Sequence, residues 1–113
     1  MLLQNSLYHI ISRTESCYTI RFNPAHLIFA GHFPGHPIVP GACLVQIAQD
    51  LISDHLGQPV LLTAVHNLKF RQPVTPEMEM RYIIEENKII IEDLASTIYA
   101  QFATTYMCVD TDV

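Results

Sequence analysis

The chain has 113 residues and a formal charge of −5, with only six Lys and Arg, none of them in a run. That length fits one domain, residues 1 to 113, and the acidic balance excludes a general nucleic-acid binder. No apolar run reaches the ~18 residues that cross a bilayer, and residues 1 to 5 lack the basic start of a signal peptide.

Half of the residues are hydrophobic and 15% are charged. A chain this short buries roughly 65% of its unfolded surface, so a homodimer or larger assembly is expected, with apolar surface at the subunit contacts. Cys17, Cys43 and Cys108 are odd in number and widely spaced. They are expected as buried free thiols in a reducing cytoplasm.

Taken in chain order, residues 6 to 12 and 16 to 22 are predicted strands joined by Arg13, Thr14 and Glu15. The second alternates Cys17, Thr19 and Arg21 with Tyr18, Ile20 and Phe22, the pattern of a half-buried strand. Asn23 and Pro24 end it. Residues 24 to 41 are too rich in proline and glycine for a ladder and are expected as loop. Residues 41 to 56 have helical spacing and are apolar around most of the circumference, which predicts a helix enclosed by other structure. Gly57 stops it, with Pro59 just beyond. Strands are then expected at 60 to 70, 77 to 86, and 88 to 109 with an interruption. Glu86, Asn87 and Lys88 form a hairpin turn, and Pro73 and Pro76 mark a bend. One enclosed helix with five or six antiparallel strands predicts an α+β fold, its sheet wrapped around the helix.

The densest chemistry lies at residues 32 to 41, His-Phe-Pro-Gly-His-Pro-Ile-Val-Pro-Gly. Three prolines and two glycines fix this backbone. A histidine opens it, and a helix N-terminus with unpaired N–H groups closes it. His32 and His36 do not make a metal pair, because Pro34 and Gly35 between them forbid the helix that makes such spacing useful. His36 reads as a surface loop residue.

The run His32-Phe33-Pro34-Gly35-x-Pro37-x-x-Pro40-Gly41 resembles the signature of the β-hydroxyacyl-acyl-carrier-protein dehydratases of bacterial fatty-acid synthesis. Lys69-Phe70-Arg71-Gln72-Pro73-Val74-x-Pro76 resembles the segment that follows the central helix in that family. The matched stretch runs from about residue 20 to 86. The resemblance implies a hotdog fold, a dimer with two active sites at the subunit interface, an acyl-carrier-protein thioester as substrate, and no cofactor or metal. It implies His32 as catalytic base and Phe33, Gly35, Pro40, Gly41 and Ala42 around the substrate. Where the family places a catalytic Glu or Asp, five residues after the helix-opening glycine, this chain has Gln46.

Dehydrating a β-hydroxyacyl thioester needs a base for the α-proton, a proton donor for the departing hydroxyl, and N–H donors for the thioester oxygen. Histidine suits the first without much tuning, and the helix N-terminus at Gly41 and Ala42 suits the third. Gln46 can donate or accept a hydrogen bond but cannot transfer a proton. Asp50, one turn further on, is the nearest alternative carboxylate, against the plainer reading that it is solvated or paired with a base. Cys43 is expected to pack in the core. Lys69, Arg71 and Arg81 are half of the basic residues, with Lys69 and Arg71 expected on one strand face. They read either as solvated charges or as a docking patch for the acidic carrier. Two further functions stay open: a non-catalytic partner that binds acyl thioesters or joins an active dehydratase, and a hotdog thioesterase.

Overall fold

A computed structural model of the chain describes residues 4–31 and 35–109. The expectations for His32 and Phe33 fall outside these residues. Six strands form one antiparallel sheet: β1 (Tyr8–Arg13), β2 (Cys17–Phe22), β3 (Val60–Phe70), β4 (Glu79–Glu85), β5 (Lys88–Asp93) and β6 (Ile98–Cys108), in spatial order β1-β2-β4-β5-β6-β3. The core lies between one face of this sheet and the helix α2 (Gly41–Leu56), whose Leu44, Ile47, Ala48, Leu51 and Ile52 are buried. Against them stand Ile20, Met80, Tyr82, Ile89, Ile91 and Phe102, all essentially inaccessible to solvent. This is the hotdog arrangement of one helix enclosed by an antiparallel sheet.

The strand alternation follows the sequence. Tyr18, Ile20 and Phe22 face in, while Cys17, Thr19 and Arg21 face out. Gly57 adopts φ 73°, and its N–H bonds the Ser53 and Asp54 carbonyls, which ends α2. The interruption expected after residue 88 is the turn between β5 and β6, where Asp93 Oδ1 accepts the N–H groups of Ala95 and Thr97.

Three expectations need correction. Residues 24 to 41 are not loop throughout, because a short helix, α1 (Leu27–Gly31), forms there. Local side chains start it: Asn23 Oδ1 accepts the Ala25 N–H, and His26 Nδ1 accepts the Ile28 N–H. The thiols are less enclosed than expected, with Cys17 and Cys43 half-buried and Cys108 exposed. Arg71 lies beyond the end of β3, so it does not share a strand face with Lys69.

The edge strand β3 departs twice from regular pairing with β6, between Leu62 and Ala64 and between His66 and Lys69. The second departure matters for function. His66 pairs with Ala103 and Lys69 with Gln101, so three residues of β3 span two of β6. One residue is extra, and Asn67 absorbs it in a left-handed conformation, φ 54°. Because side chains alternate, the extra residue turns Lys69 to the outer face of the sheet and Phe70 to the inner face.

Candidate active site

The two sequence motifs, some thirty residues apart, meet in space. The Val39 N–H donates to the Val74 carbonyl at 2.7 Å, and both valines are buried. This tie holds the proline-rich loop against the bend after β3 and delivers Pro40 to the start of α2. Pro40 has φ −58° and ψ 141° and offers no side-chain cap. Its carbonyl accepts the Cys43 and Leu44 N–H groups at 2.9 and 3.2 Å. The Gly41 and Ala42 amides have no acceptor among the described residues, so the positive end of the helix is unspent.

Above them sits Phe70. A methyl group placed on Gly41 would lie 2.7 Å from Phe70 Cζ and 2.9 Å from Cε2, so the ring packs where only glycine leaves room. The ring is 48% exposed and forms one wall of a cavity of about 270 Å³ with Ile38, Val39, Leu44 and Val74. Phe70 belongs to the quoted motif, yet its role at Gly41 depends on the β3 bulge, which no residue pattern advertised.

Gln46 faces a second hollow, of about 400 Å³, between α2 and β3. Ala42, Val45 and Gln49 share that helix face, and residues 61 to 65 close the other side. Gln49 Oε1 accepts the Leu62 N–H at 2.9 Å, at the first irregularity of β3. Gln46 Nε2 is buried and has no hydrogen-bond partner among the described residues. An unmet buried donor costs about 1–3 kcal/mol, so this position favours a ligand or partner atom that accepts a hydrogen bond. Gln46 lies roughly 7.5 Å along the helix axis from Gly41. Gly41 lines one hollow and Ala42 and Gln46 the other, on adjacent sides of one helix end.

The carboxylates further along α2 point elsewhere. Asp50 is not solvated: it is 3% exposed and accepts a hydrogen bond from the Tyr8 hydroxyl at 3.1 Å. Burial first, then the Asp50 charge and hydrogen bond, push the Tyr8 phenol far above its ordinary range. Asp54 accepts from the Tyr18 hydroxyl at 2.7 Å and pairs with Arg13. Burial pushes the Asp54 carboxyl up, but the bonds from Tyr18 and Arg13 outweigh it and hold the group below the usual carboxylate range. Cys43 packs against the core, and burial pushes its thiol up, against the pull of the helix dipole.

The profile of the ApeI-like family, described as ApeI dehydratase, matches residues 9–105. The chain belongs to the ApeI-like dehydratase family. The 3-hydroxyacyl-acyl-carrier-protein dehydratase FabZ of Rickettsia massiliae is 34% identical over 80 residues, which cover 62% of this chain and 55% of that protein. The FabZ of a Wolbachia strain is 46% identical over 55 residues, 42% of this chain and 38% of that one. The ApeI-like chain thus spans about half the length, or less, of the curated relatives it matches. Among solved structures, the dehydratase heterocomplex ApeI:P from Xenorhabdus doucetiae superposes with a TM-score of 0.66, at 17% identity, over 89% of this chain and 95% of that one. At that identity the likeness shows the shared fold.

In this ApeI-like chain the other motif residues sit as follows. Gly35 is exposed and takes φ 89°, a conformation that requires glycine. The three basic residues separate. Lys69 lies on the outer face. Arg71 lines the cavity beside Gly41. Arg81, on β4, is held internally through Nη2, which pairs with Glu92 at 3.0 Å and bonds the Asp93 carbonyl and the Ser96 hydroxyl, while its buried Nε has no partner among the described residues. Among the described residues no cluster of three or more His, Cys, Asp or Glu could hold a metal, and no helix is long and apolar enough to cross a membrane.

Proposed function

We propose that the chain acts on β-hydroxyacyl thioesters carried by an acyl carrier protein, in fatty-acid or a related lipid or pigment synthesis. The observation that carries this reading is the uncapped start of α2 beside the unmet Gln46 amide: N–H donors with no internal use, at the position where the family motif ends. The Gly41 and Ala42 amides receive the thioester oxygen as negative charge builds on it. His32, assigned by the motif, removes the α-proton. With no acid at position 46, the same imidazolium returns that proton to the β-hydroxyl, the C–O bond breaks, and water leaves. Gln46 Nε2 donates a hydrogen bond to the departing oxygen without protonating it. Losing a dedicated general acid costs about 10²- to 10⁴-fold, so turnover is slow.

The assembly proposed with this reading is a homodimer through β3. That strand is eleven residues long and lies at the sheet edge, with Leu61, Leu68 and Phe70 exposed. Pairing there brings the α2–β3 hollow of one subunit beside the other. The purified chain should convert a β-hydroxyacyl thioester to its trans-2-enoyl product, and His32→Ala should abolish the conversion. A rate indifferent to His32→Ala removes the proposal.

Gln46 itself favours a second reading. A neutral amide keeps the shape of glutamate while removing the acid, which suits a subunit that binds acyl thioesters and leaves chemistry to a partner. The neighbouring ApeI:P structure is a dehydratase heterocomplex. Thioester binding and hetero-oligomer formation with no turnover would support this reading over the first. Release of free thiol in place of enoyl product would instead identify a thioesterase.

A further inference from the structure

Both lysines of the chain, Lys69 and Lys88, line one cavity of about 390 Å³ on the outer face of the sheet. Asn67, Asn87 and Gln101 contribute three carboxamides, and no Asp or Glu lines the cavity. In a chain of net charge −5, a third of the basic residues converge on this spot.

The backbone is built to bring them together. Lys88 opens β5 and pairs with Ala103 of β6, while Lys69 pairs with Gln101, two residues back on the same strand and therefore on the same face. Lys69 reaches that face only through the bulge at Asn67. In regular pairing it would stand opposite in sense to His66, which shares the outer face with Ala103. Asn87 is fixed by its carbonyl, which accepts both the N–H and the hydroxyl of Thr104. Its side chain is left to the cavity. The ion pairs among the described residues are Arg13–Asp54 and Arg81–Glu92, so neither lysine is neutralised within 4.0 Å. Glu85 stands opposite Lys88 across the turn without closing on it.

We infer that this cavity is a binding site for a phosphoryl group, with Lys69 and Lys88 as the charges and Asn67, Asn87 and Gln101 as neutral donors. Two compact ammonium groups with carboxamides between them match the tetrahedral, anionic oxygens of a phosphoryl group. The site lies on the opposite face of the sheet from Gly41, one residue along β3 from Phe70. It deepens the proposed function, since a carrier-bound substrate brings a phosphodiester with it, but a free phosphate has the same chemistry.

The test is titration of the purified chain with inorganic phosphate, with 4′-phosphopantetheine and with dephosphorylated pantetheine, read by calorimetry at low and high salt. Saturable binding of the two phosphate-bearing probes, absent for pantetheine, is expected. It should weaken about tenfold in Lys69→Gln and in Lys88→Gln, weaken with salt, and hold in Arg21→Gln, an exposed residue of β2 outside both cavities. Tighter binding of 4′-phosphopantetheine than of phosphate assigns the site to a carrier arm, and equal binding assigns it to free phosphate. No saturable phosphate binding, or binding unchanged in both lysine variants, overturns the inference. Turnover of a phosphate-free N-acetylcysteamine thioester reads the proposed active site separately, so the two can fail independently.

Discussion

Gly41→Ala separates the catalytic use of the helix start from its structural use. The added methyl would meet three atoms of the Phe70 ring at 2.7, 2.9 and 3.4 Å. Ordinary contact therefore requires the ring to withdraw by roughly 1 Å. The ring is half-exposed, so it can swing toward solvent, and alanine loses less backbone entropy on folding than glycine, a gain at the first residue of α2 that is smaller than the about 0.5–1 kcal/mol of a helix interior. The two effects oppose, and the net change should stay within about 1 kcal/mol, a melting shift below ~8 °C. The reaction has no such latitude. A methyl beside the receiving amides displaces the thioester oxygen by about the same 1 Å, and misplacement of that size costs roughly 10²-fold. Measured in the Gln46→Glu background, which widens the assay range, kcat/KM should fall about a hundredfold while the melting temperature barely moves. Adding Phe70→Ala should leave the rate loss in place, because the methyl and not the ring obstructs the amide. Unchanged turnover in Gly41→Ala would refute the assignment of the thioester oxygen to this helix end.

Other expectations follow from the packing around α2 and β3. Asp54 has its pKa depressed on folding, so its contribution to stability is complete above the ordinary carboxylate range and is lost as pH falls through its folded value. Burial and then the Asp54 hydrogen bond push Tyr18 up to about 12, so its contribution is complete below pH ~10 and fades as pH rises toward 12. Thermal melts across pH should lose stability at both extremes in the parent; Asp54→Asn should flatten the acid limb and only soften the alkaline one, where burial is the larger cause, and an unchanged profile contradicts the pairing. Asn67→Val forces a β-branched residue into φ 54° and should cost about 1–2 kcal/mol, while Asn67→Gly should cost little; equal denaturant midpoints would exclude a strained bulge. Sedimentation should show a dimer at micromolar concentration that Leu61→Asp with Leu68→Asp dissociates, and a monomeric parent would exclude pairing through β3.

The sequence made some parts of this arrangement legible and hid others. The boundaries of α2 were readable because Pro40-Gly41 and Gly57 punctuate a continuous apolar run. The inward set of β2 was readable because strict alternation survives where no bulge intervenes. The short helix at Leu27–Gly31 was hidden, because its start rests on Asn23 and His26 side chains bonding nearby backbone, and composition alone reads such residues as loop. The partners of the helix carboxylates were hidden too: Tyr8–Asp50 and Tyr18–Asp54 join residues 42 and 36 positions apart. The basic residues show the limit most clearly. Spacing grouped Lys69 with Arg71, but one extra residue at Asn67, together with the end of β3, groups Lys69 with Lys88 instead. A bulge changes which face every later residue occupies, and nothing in local propensity announces it.

The most direct test of the catalytic account is the dehydration rate of Gln46→Glu against the parent on one β-hydroxyacyl thioester, followed as formation of the enoyl product. Restoring a titratable acid beside the unmet amide position should raise the rate by at least about tenfold, toward the 10²- to 10⁴-fold that a general acid contributes, and His32→Ala should erase the gain. A Gln46→Glu rate equal to the parent's, with the fold intact, would contradict the claim that position 46 faces the departing oxygen.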